Sequence, residues 1–486
     1  MAEEGGTNAF DAALSSVASG IEHLIEPEEH TLWHDITHEW LSFSAWVEWI
    51  GDKGVSRGFF TISFFVPLVV GAQILLPEFI PLVASWLFLG LPILAPIALF
   101  AWFWHSWIWY VQSYYIFTRV SPVLLEVKMP PDVHKSPRAM EQVLTSFWIR
   151  AGVTTEIDRN WYGGVLPYSS LEIASFGGEI HFYIWCRSAY RNVIEAAMYS
   201  QYPEVEIVEV PDYATAFEYD PEKHHCFATD YIYDPKGRGD KYPIKTYVNF
   251  ELDKDPKEEH RVDPYASILE VLGALNKDEQ AWIQIVIRGY HKQDWQKEVL
   301  KEVEKIRDSA SQGISLIVGE TGEEDDEKKI GFPRPTLVQR EQMENMERNL
   351  SKLIFDCGLR GLYIAPRGKM RSAEYTAIRW IWRPFNNPNY MTQLRPRRAH
   401  NDFDYPWQDW GVGYDGVRWV LWTRRYFDMY RRRQFFHSPW QIVDPPIRMS
   451  TEVLATLWHP PSSSVVVPGL PRIPVAKAEA PHNLPV

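Results

Sequence analysis

Residues 58–117 read GFFTISFFVPLVVGAQILLPEFIPLVASWLFLGLPILAPIALFAWFWHSWIWYVQSYYIF, and only Glu78 and His105 interrupt this mostly apolar run. A helix rising ~1.5 Å per residue needs ~20 apolar residues to cover ~30 Å of hydrocarbon, so the stretch is long enough to cross a bilayer twice. One crossing is expected over residues 58–76 and a second over 80–110, with Leu75-Leu76-Pro77-Glu78 as a tight turn between them. Pro92 and Pro96 inside the second imply a kink or a tilt. Trp86, Trp102, Trp104, Trp107, Trp109 and Tyr110 gather mostly at its end, as interfacial aromatics do. Lys53 and Arg57 precede the run and Arg119 and Lys128 follow it. By the positive-inside rule both ends then face the cytoplasm, and the rest of the chain is expected there, at the inner membrane.

Upstream, Trp33, Ile36, Trp40, Phe43, Val47 and Ile50 recur at three- and four-residue intervals, which draws one apolar helical stripe. With Trp46 and Trp49 beside it, residues 1–57 read as a segment carrying an interfacial helix, whose Trp33, Trp40, Trp46 and Trp49 meet the membrane surface. His30, His34 and His38 share one helical face, but zinc would need further ligands, and a solvated polar face accounts for them. Residues 1–20 are acidic and small-residue-rich, without the basic start of a cleavable signal, so the hairpin over 58–118 is expected to be retained.

Downstream, the periodicity shifts to α+β. Residues 123–129 alternate as a strand, and Ser136-Pro137 starts a helix whose apolar face is Met140, Val143, Leu144, Phe147 and Trp148. Residues 170–175 and 179–186 form a hairpin around Gly177-Gly178, a helix follows over 188–202, and residues 204–210 form a strand. The order β-α-β-β-α-β defines a first module over 119–215, a split βαβ of ferredoxin-like type. A second α+β module is expected over 240–386. Its elements are a strand at 247–252, a helix begun by Asp263-Pro264, a strand at 280–290, a helix at 295–309, a helix from Pro335, a strand at 359–365 and a helix at 372–385. An acidic, glycine-bearing mobile loop interrupts it at 311–332. Residues 387–459 read as irregular and rich in arginine and aromatics, and residues 460–486 as a Pro-rich extended tail that packs on a neighbour or on nothing.

A net charge of −14 over 486 residues argues against a generally basic nucleic-acid coat. Three widely spaced cysteines, Cys186, Cys226 and Cys357, make neither a disulfide framework nor a thiolate metal cage. The motifs G-x-x-x-x-G-K-[ST], G-x-S-x-G and H-E-x-x-H are absent. Gly319-Glu320-Thr321-Gly322 runs into four carboxylates, which would repel a triphosphate. His224-His225-Cys226 is the one compact group of metal-capable side chains, and adjacent residues do not easily converge on one ion. The expectation is a non-enzymatic chain with no cofactor and no catalytic or metal residues. The positive signal is an arginine patch, Arg395, Arg397, Arg398, Arg424, Arg425, Arg431, Arg432 and Arg433, interleaved with aromatics. Such a patch can pair with carboxylates such as Asp402, Asp404, Asp409, Asp415 and Asp428, lie on anionic lipid, or meet nucleic acid.

Three strings resemble a family of membrane proteins of candidate-phyla bacteria (Patescibacteria): SLEIASFGGEIHFYIWCRSAYRNVIEAAMYSQYPEVEIVEVPDY at 170–213, YPIKTYVNFELDKDPKEEHRVDPYASILEVLGAL at 242–275 and LATLWHPPSSSVVVPGLPRIPVAKAEAPHNLP at 454–485. Members of that family resemble the region before, or encoded beside, ATPases of the conjugation and type IV secretion class. The resemblance implies a scaffold or adaptor on the lipid bilayer that docks such an ATPase in trans or forms a homo-oligomer. It implies no catalytic residues. The alternative expectation is a membrane-tethered nucleic-acid-binding protein for DNA uptake or transfer.

Overall fold

The computed structural model describes residues 57–75, 77–130, 133, 135–149, 155–234, 238–253, 263–292, 294–311, 335–397, 417–437, 446–463, 465 and 467–473. The chain divides into two compact units, Met1–Ala98 with His400–Trp419, and Leu99–Ala399 with Val420–Val486. Trp33, Trp40, Trp46 and Trp49, the three N-terminal histidines and nearly all of the acidic loop lie outside the described residues.

The first unit contains α1 (Arg57–Leu75) and the first half of α2 (Phe79–Arg119). Gln73 clamps the turn between them: its Nε2 donates to the Pro77 carbonyl at 2.6 Å, and its Oε1 accepts from the Ile80 N–H at 2.8 Å. Two separate crossings were expected here. By length and composition, no single helix among the described residues is long and apolar enough to cross a membrane, whereas Ser63–Leu75 and Ile80–Ile93 qualify together as a pair bent by 108°.

The second unit is α+β. Beyond α2 come β1 (Pro122–Lys128), α3 (Pro137–Leu144), the short α4 (Glu156–Asn160), β2 (Ser169–Phe176), β3 (Glu179–Arg187), α5 (Arg191–Gln201) and β4 (Glu206–Val210). Then follow β5 (His224–Tyr233), α6 (Tyr265–Gly273), β6 (Gln280–Gly289), α7 (Asp294–Ser311), α8 (Leu337–Leu350), β7 (Ile354–Pro366), α9 (Ser372–Arg379), β8 (Leu394–Pro396), α10 (Val417–Arg431), β9 (Ile447–Ser450) and α11 (Thr451–Leu457). The strands form one antiparallel sheet in the order β4-β1-β3-β2-β6-β7-β5-β8, with β9 added to the start of β7.

That order contains the same pattern twice. Strands β1 to β4 lie as β4-β1-β3-β2, and β5 to β8 lie as β8-β5-β7-β6, each half running β-α-β-β-α-β along the chain. The halves join through equivalent strands, β2 and β6, paired antiparallel from Ser169↔Ile287 to Phe176↔Gln280. Helices α7 and α8 are an insertion between the second and third strands of the second half. Gly177 and Gly178, at the β2–β3 turn, have φ of 62° and 89°, the left-handed region that glycine enters without a Cβ penalty.

Because side chains alternate across a strand, each strand feeds two faces. On one face, Ser175 Oγ donates to the Leu272 carbonyl of α6 and Tyr231 Oη to the Ile378 carbonyl of α9. On the other, Trp185, Trp282, Val286 and Leu362 pack against Tyr426, Phe427, Tyr430 and Phe435 from α10 and the turn after it.

Several expectations are corrected. Residues 247–252 form turns, not a strand: Asn249 Oδ1 accepts from both the N–H and Oγ1 of Thr246, and the Tyr247 N–H donates to Thr456 of α11. The second half opens with β5, ahead of residue 240. Residues 387–459, read as irregular, hold β8, α10, β9 and α11. The described part of the tail packs on its own chain: Val465, Val467 and Leu470 are buried, Ile180 N–H donates to the Gly469 carbonyl, and the Arg472 guanidinium binds the carbonyls of Pro130, Ser462 and Val465.

Candidate functional site

The sheet face beneath α10 carries a row of polar side chains where an apolar row is the rule. Glu126, Tyr183, Glu172, Gln284, Arg360 and Asp230 are successive cross-strand partners on β1, β3, β2, β6, β7 and β5. Glu172, Gln284 and Arg360 are 0% exposed and Asp230 1%. Buried charge is tolerated only when paired and hydrogen-bonded, so each of these groups requires a partner.

The partner is the C-terminal end of α10. The last carbonyls of a helix lack intrahelical donors, and the helix dipole makes that end negative. Arg360 Nη1 donates to the Met429 carbonyl at 3.2 Å, Gln284 Nε2 to the Tyr430 carbonyl at 3.1 Å, and Arg433 Nη1 to the Arg431 carbonyl at 2.9 Å. Two cations and one amide thus cap a helix end pressed onto a sheet.

Arg433 sits just past α10 with a φ of 51°, in the left-handed region that a non-glycine residue rarely adopts. This turn aims its guanidinium inward. Nε and Nη2 bind the two carboxylate oxygens of Glu172 at 2.9 and 3.1 Å, and Nη2 and Nη1 engage Asp212. Glu172 also accepts from Ser170 Oγ at 2.7 Å, Tyr213 Oη at 2.8 Å and Gln284 Nε2 at 3.0 Å. Arg360 Nε binds Asp230 at 2.9 Å.

The electrostatics divide the carboxylates. Burial pushes the Asp212 carboxyl up, but the Arg433 charge and hydrogen bonds from Arg433, Thr215 and the Ala214 N–H outweigh it and hold the group below the usual range. For Asp230, burial wins over Arg360 and raises the carboxyl. Burial also raises all three thiols, Cys186 to about 12, so none is a thiolate nucleophile at neutral pH.

The arginines of the expected patch lie in different surroundings. Arg395 pairs with Asp234 at 3.4 Å, and the Arg397 N–H donates to the Asp230 carbonyl. Arg424 and Arg431 line a groove with Phe217 and Tyr219. Arg425 stacks over Trp422, and Arg431 and Arg432 both bind Asp428. Arg433 is 1% exposed, and Arg398 lies outside the described residues. On β5, successive residues point to opposite faces, so His224 packs on Phe217 while His225 Nδ1 accepts from the Gly368 N–H. Among the described residues no group of three or more His, Cys, Asp and Glu side chains is placed to hold a metal.

Sequence reasoning missed Glu172, Gln284, Arg360 and Asp230. Each is a charged or amide residue inside a strand, as in SSLEIASF and QAWIQIVIRG, and the strand alone does not show that they meet across the sheet. Chemically, the buried part of the row serves the helix end and its own carboxylates, with Asp230 Oδ2, Gln284 Oε1 and Arg360 Nη2 left without a hydrogen-bond partner among the described residues, while Glu126 at the edge meets His181. A scan against models of known protein families finds no match to this chain, and a search of curated proteins finds none either.

Proposed function

We propose that this chain is a non-enzymatic, membrane-anchored scaffold or adaptor of a type IV secretion or conjugation-like, or pilus-like, envelope machine, which docks a separate ATPase or assembles with copies of itself. Its α1–α2 segment lies in the cytoplasmic membrane, and its two halves are ferredoxin-like split βαβ modules on the cytoplasmic side. The observation that carries the reading is the outward apolar surface of α2, where Phe88 is 81% exposed, Leu89 70% and Ile93 68%. An apolar surface of that extent costs ~25 cal/mol per Å² in water and nothing in lipid. The doubled strand order supports the module assignment, and the outer edge of β4, unpaired among the described residues, offers a strand for augmentation. The nucleic-acid alternative draws no support from Arg431, Arg432 and Arg433, whose charges meet Asp428, Glu172 and Asp212.

The test is cross-linking mass spectrometry on native membranes after purification in mild detergent. Links from lysines beside β4, such as Lys128, to a Walker-motif ATPase favour docking, and links only between copies favour self-assembly. Recovery of the protein in the soluble fraction, with neither class of link, overturns the reading.

A further inference from the structure

We infer a second membrane contact, made by the α4 shelf of the α+β unit, which would fix how that unit sits on the lipid surface. The inference rests on the membrane reading of α2. Three large side chains at α4 and the turn after it, Ile157, Trp161 and Tyr162, are 59%, 60% and 65% exposed.

The shelf is built onto α2 rather than hanging free. Trp107 Nε1 donates to the Asn160 carbonyl at 2.9 Å, and the Trp107 and Trp161 rings meet edge-on with centroids 5.7 Å apart. One residue beyond Tyr162, Gly163 has a φ of 70°, and a Cβ there would fall 2.2 Å from the Val111 carbonyl oxygen. Only glycine permits that approach. Of the charged groups of α4, Glu156 accepts from Arg159 at 3.3 Å and from Asn160 at 3.1 Å, while Asp158 accepts from Thr155 Oγ1 at 2.7 Å and leaves the helix one negative charge. Beside these polar groups the shelf presents an apolar and aromatic tip.

Its level along α2 identifies the occupant. Trp102, Phe103, Trp109, Tyr110 and Tyr114 are all exposed on the stretch of α2 that Trp107 bisects. Tryptophan and tyrosine concentrate where a helix leaves hydrocarbon for headgroups, because the ring is apolar and its N–H or O–H seeks water. Tied to Trp107, the shelf stands level with this belt. When the belt lies at the headgroup boundary, Ile157, Trp161 and Tyr162 meet the same lipid layer. Two contacts, one on α2 and one on α4, would hold the sheet at a set angle where a single helix would let it swing.

Because Cys186, Cys226 and Cys357 are buried, an introduced cysteine can be labelled selectively on the full chain. Tyr162→Cys, Ile157→Cys, Phe88→Cys and Leu300→Cys would each carry an environment-sensitive fluorophore. Each protein would be reconstituted in phosphatidylcholine–phosphatidylglycerol vesicles containing nitroxide lipids. The expected result is quenching of the Tyr162 and Ile157 probes by headgroup nitroxide about threefold above the Leu300 probe, which lies on α7, with the Phe88 probe quenched from the acyl chain. Quenching at Phe88 with Tyr162 and Ile157 at the Leu300 level overturns the shelf contact alone. No quenching at any site overturns the membrane reading with it. Shielding of Tyr162 that persists in detergent and vanishes on dilution assigns the shelf to a second copy and also overturns the inference.

Discussion

Arg431, Arg432 and Arg433 look interchangeable in the sequence, yet their surroundings differ by a factor that decides stability. Arg431 and Arg432 share Asp428 near the surface, where ion pairs contribute ~0–1 kcal/mol. Arg433 is buried between Glu172 and Asp212, and removing it strands two carboxylates. Arg433→Ala is expected to cost ~3–5 kcal/mol, and Arg431→Ala or Arg432→Ala about 0.5 kcal/mol, measured by denaturant unfolding. Equal effects from all three would show that the buried cluster is not what holds α10 to the sheet. Glu279 makes a related prediction in pH. Burial pushes its carboxyl up, but hydrogen bonds from Arg371, the Asn276 N–H and Tyr363 bring it below the usual range. A lowered folded value means that its stabilisation is fully present above the unfolded value of ~4.3 and is lost as pH falls through the folded value. The stability gap between wild type and Glu279→Gln should therefore be constant at neutral pH and shrink below pH ~4. A gap that widens in acid would reverse the sign and refute the assignment.

Among elements, the C-terminal segment shows how composition misleads. Its prolines and serines read as a free tail, but Val465, Val467 and Leu470 enter the core and Arg472 closes three backbone carbonyls. Burying such side chains is worth ~1.5–3 kcal/mol each, so losing three approaches the whole ~5–15 kcal/mol of a typical domain. Truncation before Pro460 should abolish the cooperative unfolding transition. An unchanged midpoint would make the segment an ornament on the fold. The same contrast explains what was legible. Strands β3, β6 and β7 announced themselves because they are rich in β-branched or aromatic residues and buried on both faces, and the Gly177-Gly178 turn followed from glycine's freedom at positive φ. Residues 247–252 alternate just as well, but Thr246 and Asn249 close a local turn and α11 takes the Tyr247 N–H, so tertiary contacts override propensity. Strand β5 was hidden because His224, His225 and Cys226 drew a chemical reading instead of a structural one. The polar row needed pairing partners on other strands, information that no single stretch of sequence contains.

Across the whole α+β unit, the central fact is that one sheet is shared by two halves of identical strand order. The junction is eight residue pairs long, and its outward continuation differs on each side: α10 with Arg433 covers one face, and residues 460–473 support the other end of the first half. A fragment of residues 119–217 would retain all of β1 to β4 and both of its crossover helices, which is the usual complement of a free-standing split βαβ module. It would nevertheless lose three covers at once. Strand β2 would become an eight-residue edge with apolar side chains on both faces, Glu172 would lose Arg433 and Gln284, and Ile180 would lose the Gly469 carbonyl. Exposed flat edges pair with whatever strand is available, and the natural partner of β2 is its own counterpart in the other half. The fragment is therefore expected to associate through β2, dimerising or precipitating in sedimentation experiments, whereas the intact sheet leaves β2 internal. A soluble monomeric fragment with a cooperative unfolding transition would mean that the halves are independent domains placed side by side, and that the polar row is a consequence of their contact rather than what makes the unit one.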